Sequence, residues 1–297
     1  MKQTIVPHLW FDNEALEAAE FYVNVFPDSE VLNKTQLHNT PSGDAQSVTF
    51  EINGYTFMAI SGGPYFKINP SISFFVNFDP SYDDNAERNL EETWKKLKNG
   101  GNVLMPLGEY PYSRKYGCVQ DKYGVCWQLI LTDPAGEDRP FIVPSLMFVN
   151  HNFGKAKEAV DFYLSIFKNS RMGEIAGNRS GEDMTVMFAD FKLENQCLAA
   201  MDGPGNHDYN FNEAVSLLVN CKNQEEIDYY WKELSAVPEA EQCGWLKDKY
   251  EVSWQITPSV MDEMMVEGSP EQIKRVTEAF LKMKKLDIAE LKGAYDG

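Results

Sequence analysis

An α+β protein made by tandem duplication, each copy a pair of β-α-β-β-β modules, is what this sequence predicts. Three observations carry the prediction. Asp121-Lys122-Tyr123-Gly124-Val125-Cys126-Trp127-Gln128 returns as Asp248-Lys249-Tyr250-Glu251-Val252-Ser253-Trp254-Gln255. Shorter phrases recur in the same order, among them Ile5-Val6-Pro7 with Ile142-Val143-Pro144, and Ser73-Phe74-Phe75-Val76-Asn77 with Ser216-Leu217-Leu218-Val219-Asn220. Within each copy, strand-like and helix-like stretches run through one order twice. The period far exceeds solenoid repeats of roughly 20–50 residues, so each copy is domain-sized.

The elements follow in order. Residues 5–11 are a short apolar stretch with strand character. Asp12 and Asn13 offer N-cap side chains. Ala15, Ala18, Ala19, Tyr22, Val25 and Phe26 then recur at helical spacing until Pro27 ends the helix. Strand-like runs lie around 31–37, 47–52 and 55–60, the last two joined by the hairpin signal Asn53-Gly54. The order repeats with a strand over 72–78 and a polar amphipathic helix over 85–98, closed by Asn99-Gly100-Gly101. Strands around 102–107, 116–120 and 125–131 complete the copy. The first domain therefore spans 1–133, a linker rich in Pro, Gly and acid 134–140, and the second domain 141–258. A C-terminal tail, 259–297, is helical over 269–295. Each domain is expected to be a curved mixed sheet with helices outside. A pseudo-two-fold axis should relate the two, with Leu9, Phe74 and Leu129 matching Leu146, Leu217 and Ile256. The copies differ most over 100–116, which copy two shortens to 235–243. The extra residues read either as a tolerated loop insertion or as an arm over a pocket or partner.

Composition bounds the function. Hydrophobic residues make up 43% and charged residues 24% of 297, which is ordinary for a globular protein. No apolar run approaches the roughly 20 residues needed to span a bilayer, and the first residues lack a signal-peptide core. A net charge of −18 disfavours nucleic acid and anionic membranes as partners. Five cysteines without C-x-x-C spacing fit reduced thiols in a cytoplasm.

Several phrases, namely Pro7-His8-Leu9-Trp10-Phe11, Phe57-Met58-Ala59-Ile60-Ser61-Gly62-Gly63-Pro64 and Gly244-Trp245-Leu246-Lys247-Asp248-Lys249-Tyr250, together with the tail from Met283 to Leu291, cover nearly the whole chain. In these it resembles the PhnB-like branch of the vicinal oxygen chelate superfamily, which includes glyoxalases, extradiol dioxygenases and bleomycin resistance proteins. Members are often labelled 3-demethylubiquinone-9 3-methyltransferase-like. The resemblance implies metal ligands on the first, fifth and eighth strands of a domain, typically His, His or Gln, and Glu. Those positions fall on Val6 and Val143, on Ser71 and Ala214, and on Gln128 and Gln255. Valine and alanine donate nothing, and a stable divalent site wants three or more N, O or S donors. A weak site from His8, Gln128 and water is the single rescue, so no metal and no cofactor is expected. Gly62-Gly63-Pro64 is not followed by a helix pattern, which speaks against a nucleotide-type turn for S-adenosylmethionine. No nucleophile elbow or Cys–His pairing is evident. Cys118 and Cys126 read as inert core thiols, and His38, His151 and His207 as surface residues.

What remains is a cavity. Val6, His8 and Trp10 share one face of the first strand by alternation, as do Ser71 and Ser73 on the fifth strand, with Gln128 on the last. These residues are expected to line a site in copy one for an amphipathic small molecule. Tyr112 and Arg114 of the arm would cover it, Arg114 meeting an anionic group. Copy two, with Ser145, Met147, Ala214, Ser216 and Gln255, reads as a packing partner. On that view Ser73→Phe abolishes binding and Ser216→Phe spares it. The expected function is non-metallated small-molecule binding. The alternatives are a metal-dependent lyase, isomerase or dioxygenase with an unusual ligand set, and a structural or assembly role, with a homodimer as the other partner.

Overall fold

The computed structural model describes residues 3–40, 42–133, 135–136, 139–180 and 183–297. Pro134, Glu137 and Asp138 of the expected linker lie outside the described residues. Four modules appear in chain order. The first is β1 (Ile5–Phe11), α1 (Ala15–Val25), β2 (Ser29–Thr40), β3 (Gly43–Ile52) and β4 (Tyr55–Ser61). The second is β5 (Ile72–Phe78), α2 (Ala86–Leu97), β6 (Asn102–Tyr110), β7 (Ser113–Gln120) and β8 (Cys126–Leu131). The third is β9 (Ile142–Phe148), α3 (Ala156–Ile166), β10 (Arg171–Ser180), β11 (Asp183–Leu193) and β12 (Gln196–Asp202). The fourth is β13 (Val215–Cys221), α4 (Gln224–Leu234), β14 (Trp245–Lys247) and β15 (Ser253–Pro258). Helices α5 (Ser259–Glu267), α6 (Pro270–Phe280) and α7 (Ile288–Asp296) form the tail.

Local chemistry accounts for most boundaries. Asn53 and Gly54 both take positive φ, as a two-residue hairpin joining right-twisted strands requires. The α1 cap differs from expectation. Neither Asp12 nor Asn13 caps the helix; the Ala15 N–H donates to Ser61 Oγ at 3.2 Å. The reason is that β1 and β4 run parallel and end together, Phe11 beside Ser61. The tail also differs, since α5 was not foreseen and the chain turns between α6 and α7. There the Met283 and Lys284 carbonyls accept the N–H groups of Cys243 and Gly244, both at 2.8 Å, instead of continuing a helix.

The modules pair across the two copies. One sheet runs β14-β15-β13-β1-β4-β3-β2 and the other β10-β11-β12-β9-β5-β8-β7-β6. We call them the first and second sheet. Modules one and four build the first sheet, and modules two and three build the second. The seams are antiparallel pairings of opening strands, with His8 opposite Ser216 and Ser73 opposite Ser145. No sheet therefore belongs to one copy. The physical reason is that β5 and β13 are near duplicates, so β1 meets an equivalent edge in either.

Each copy is nevertheless tied together on the helix side, and the repeated motif does it. Asp121 accepts the N–H groups of Tyr123 and Val125 and the Trp127 indole N–H, at 2.8, 3.1 and 2.8 Å. Asp248 does the same for Tyr250, Val252 and Trp254 and also accepts from Tyr163 Oη at 2.7 Å. Lys122 and Tyr123 reach Glu17 on α1, as Lys249 and Tyr250 reach Glu158 on α3. The Trp127 ring packs between Tyr22 and Phe26, and Trp254 between Tyr163 and Phe167. The most conspicuous repeat in the sequence is thus an internal staple. Leu9, Phe74 and Leu129, like Leu146, Leu217 and Ile256, are fully buried in this helix-side core.

Candidate functional site

The two sheets treat their inner faces differently. On the second, β6 and β7 fold back so that Tyr116 is buried against Phe75, Val143 and Ala199. Tyr110 and Tyr112 pack their rings on Tyr116 at 5.4 and 5.2 Å. The pocket beside Phe75, Phe188 and Arg139 there has a volume of about 20 Å³. On the first sheet, module four lacks a strand equivalent to β6, and a cavity of about 560 Å³ remains. Helices α5 and α6 close over it, contributing Met261, Met265, Val266 and Phe280.

Register fixes the floor of that cavity. Trp10, His8 and Val6 alternate along β1; Leu218 and Asn220 along β13; and Gln255 and Thr257 along β15. One end is aromatic, with Trp245 edge-on to His8 at 5.7 Å and to Trp10 at 6.1 Å. Trp10 Nε1 donates to the Gly63 carbonyl at 2.8 Å. A Cβ at Gly62 would collide with the Trp10 indole, so the Gly62-Gly63 pair serves close packing of this ring. The other end is polar. Asn220 pairs in register with Thr257, and Asn220 Oδ1 and Thr257 Oγ1 are both buried without a hydrogen-bond partner. Among the described residues the lining holds two carboxylates, Glu51 and Asp262, and no lysine or arginine.

Burial pushes the His8 imidazole down to about 4, and its Nδ1 also lacks a partner. The ring is therefore neutral at pH 7. A folded value below the ordinary 6.5 means that the neutral form is the one the fold tolerates. The contribution of His8 to stability is full above about 6.5 and is lost as pH falls toward about 4. Nitrogen-detected imidazole NMR should show His8 neutral from pH 8 to about 5. A His8 titration midpoint near 6.5 would disprove the burial effect. Cys243, at the cavity wall, is pushed up to about 11 by burial, so it stays a thiol.

The expected copy-one site is divided by the topology. His8 and Trp10 line the open cavity, whereas Ser71, Ser73 and Gln128 lie on the second sheet. Ser73 Oγ accepts from Gln128 Nε2 at 2.8 Å there. Tyr112 and Arg114 sit at the β6–β7 turn of that second sheet and do not reach His8. Ser216, not Ser73, stands beside His8. The His8–Gln128 metal pair does not form, and Gln255 takes the place of Gln128. Sequence reasoning missed Trp245, Met58 and the α5 side chains. The Met261, Met264 and Met265 spacing was the available signal for the last.

A divalent metal does not fit the residues present. His8 and Gln255 are joined at the other ligand positions by Val6 and Ala214, which have no donor atoms. Among the described residues no group of three or more His, Cys, Asp or Glu is placed to hold a metal ion. Among them, too, no helix is long and apolar enough to cross a membrane.

Comparison with known proteins places this geometry. Residues 3–130 and 140–257 each match the family model described as 3-demethylubiquinone-9 3-methyltransferase. A putative 3-demethylubiquinone-9 3-methyltransferase, PhnB protein, from Bacillus cereus is 36% identical over 44% of this chain and 100% of its own, with a TM-score of 0.39. Glyoxalase I from Zea mays is 13% identical over 88% of this chain and 96% of its own, with a TM-score of 0.53. A putative dioxygenase from Bacillus subtilis is 13% identical over 89% and 91%, with a TM-score of 0.50. No curated protein matches the chain.

Proposed function

Because this chain belongs to the 3-demethylubiquinone-9 3-methyltransferase family, the PhnB-like branch of the vicinal oxygen chelate superfamily, we propose that it binds a small amphipathic molecule between its first sheet and its tail. The observation that supports this reading is the asymmetry of the two inner faces. The chain fills one and leaves about 560 Å³ in the other, inside the range of roughly 300–1,000 Å³ typical of ligand pockets. The lining combines two indoles, apolar walls from Met58, Ile60 and Leu218, and buried polar atoms at the far end. Buried polar atoms are normally partnered, so those left over are acceptors and donors for a guest. Methyl transfer is not carried over from the family's name, since the glycine pair is explained by Trp10.

Nile red, a neutral polarity-sensitive dye, tests the reading. One dye per chain should bind saturably, with energy transfer from Trp10 and Trp245. Met58→Trp, which fills the cavity, should weaken binding by at least about tenfold, or about 1.4 kcal/mol. Met187→Trp, at a position 63% exposed, should leave it unchanged. No saturable binding to the wild type, or equal losses in both variants, would remove the proposal.

A further inference from the structure

The second sheet carries a built-in guest. Gln128 Nε2 donates to Ser73 Oγ at 2.8 Å, which leaves its carbonyl oxygen free, and Tyr116 Oη donates to that oxygen at 2.6 Å. The Tyr116 ring fills the apolar space beside it, and the residue is 5% exposed. The first sheet repeats half of this arrangement. Gln255 Nε2 donates to Ser216 Oγ at 2.9 Å, again leaving the carbonyl oxygen free. No donor meets that oxygen among the described residues. Register explains the vacancy. Cys118 faces Gln128 across its strand pair and Trp245 faces Gln255. On β7 the residue two positions earlier is Tyr116, whereas β14 begins at Trp245 and the chain before it turns through Cys243 and Gly244 at positive φ, so β14 carries no counterpart of Tyr116.

We infer that the cavity takes an uncharged hydroxyaryl compound, whose ring lies where a counterpart of the Tyr116 ring would lie and whose hydroxyl donates to Gln255 Oε1. This rests on the small-molecule reading above and names the ligand class. The lining argues for the uncharged form. It offers no lysine or arginine to a phenolate or carboxylate, and Glu51 and Asp262 would repel either. At about 560 Å³ the space is larger than one ring, and Asn220 Oδ1 and Thr257 Oγ1 can meet a second polar substituent.

The tyrosine side-chain analogue p-cresol tests this against toluene, which lacks only the hydroxyl, and p-toluate, which carries a negative charge. Displacement of Nile red from the full chain should rank p-cresol about tenfold above toluene, with p-toluate weakest. Gln255→Leu should erase the preference for p-cresol, and Gln255→Glu, which keeps an acceptor, should retain it. Met58→Trp, which fills the cavity, should weaken both neutral probes by at least about tenfold, with unchanged far-UV circular dichroism showing that the fold persists. Equal binding of p-cresol and toluene, or a preference that survives Gln255→Leu, would overturn the inference while leaving the cavity as a binding site. If Nile red binds but neither probe displaces it, the hydroxyaryl assignment fails. If Nile red itself does not bind, the small-molecule reading and the inference fail together.

Discussion

Replacing Asp248 by alanine should cost about 4 kcal/mol and lower the melting temperature by roughly 10 °C. The carboxylate serves four donors: the Tyr163 hydroxyl, the Trp254 indole and the N–H groups of Tyr250 and Val252. All four residues are buried, so the orphaned donors find no water. Each unsatisfied buried donor costs on the order of 1–3 kcal/mol, partly offset because a buried charge disappears. Burial also raises the Asp248 carboxyl to about 6, against the pull of those donors. A folded value above the ordinary 3.8 means that ionisation works against the fold, so this part of the stability is lost as pH rises through about 6. The alanine variant should lack that slope. Lys249→Ala removes a half-exposed ion pair to Glu158 and ring contacts to Phe162 and Tyr250, and should change stability by less than about 1 kcal/mol. Thermal unfolding followed by circular dichroism decides it. A loss below about 1 kcal/mol for Asp248→Ala would show that the staple is dispensable.

Removing the tail after Pro258 should have the largest effect on binding. Met261, Met265, Val266 and Phe280 form the far wall of the cavity, and the tail's own cluster of Met264, Val276, Phe280, Leu286 and Leu291 would go with them. Nile red affinity should fall by about a hundredfold, equivalent to about 2.7 kcal/mol. That corresponds to returning roughly 100 Å² of apolar ligand surface to water at about 25 cal/mol/Å². If the shortened chain aggregates, Met265→Ala combined with Val266→Ala removes part of the wall while keeping α6 and α7, and a fall of about tenfold is expected. Undiminished affinity in the double variant would place the dye elsewhere.

Much of this architecture can be read from residues. The helical spacing over Ala15–Val25 and the Asn53-Gly54 turn locate elements within a few positions. Alternation also assigns Val6, His8 and Trp10 correctly to one face. Strand partners are another matter. Ser73-Phe74-Phe75-Val76-Asn77 and Ser216-Leu217-Leu218-Val219-Asn220 present nearly the same edge, so hydrophobic pattern alone cannot choose which one β1 joins. The choice moved Gln128 away from His8 and brought Gln255 in. Trp245 was visible in the sequence, but its role depends on which sheet β14 borders. Helix α5 was missed because its methionines border the cavity from outside the duplicated region, where no second copy exists for comparison.

The division of each sheet between two copies has a consequence for how the protein can change. In a dimer of identical chains every substitution is made twice, and a tyrosine that plugs one face plugs both. Here a single polypeptide carries both halves, so the β6–β7 arm and the short Ser235–Cys243 segment can vary independently. One face can be retired to structural duty while the other is free to drift in shape and preference. Variation selected for a new guest should therefore concentrate in modules one and four and the tail, and leave modules two and three nearly silent.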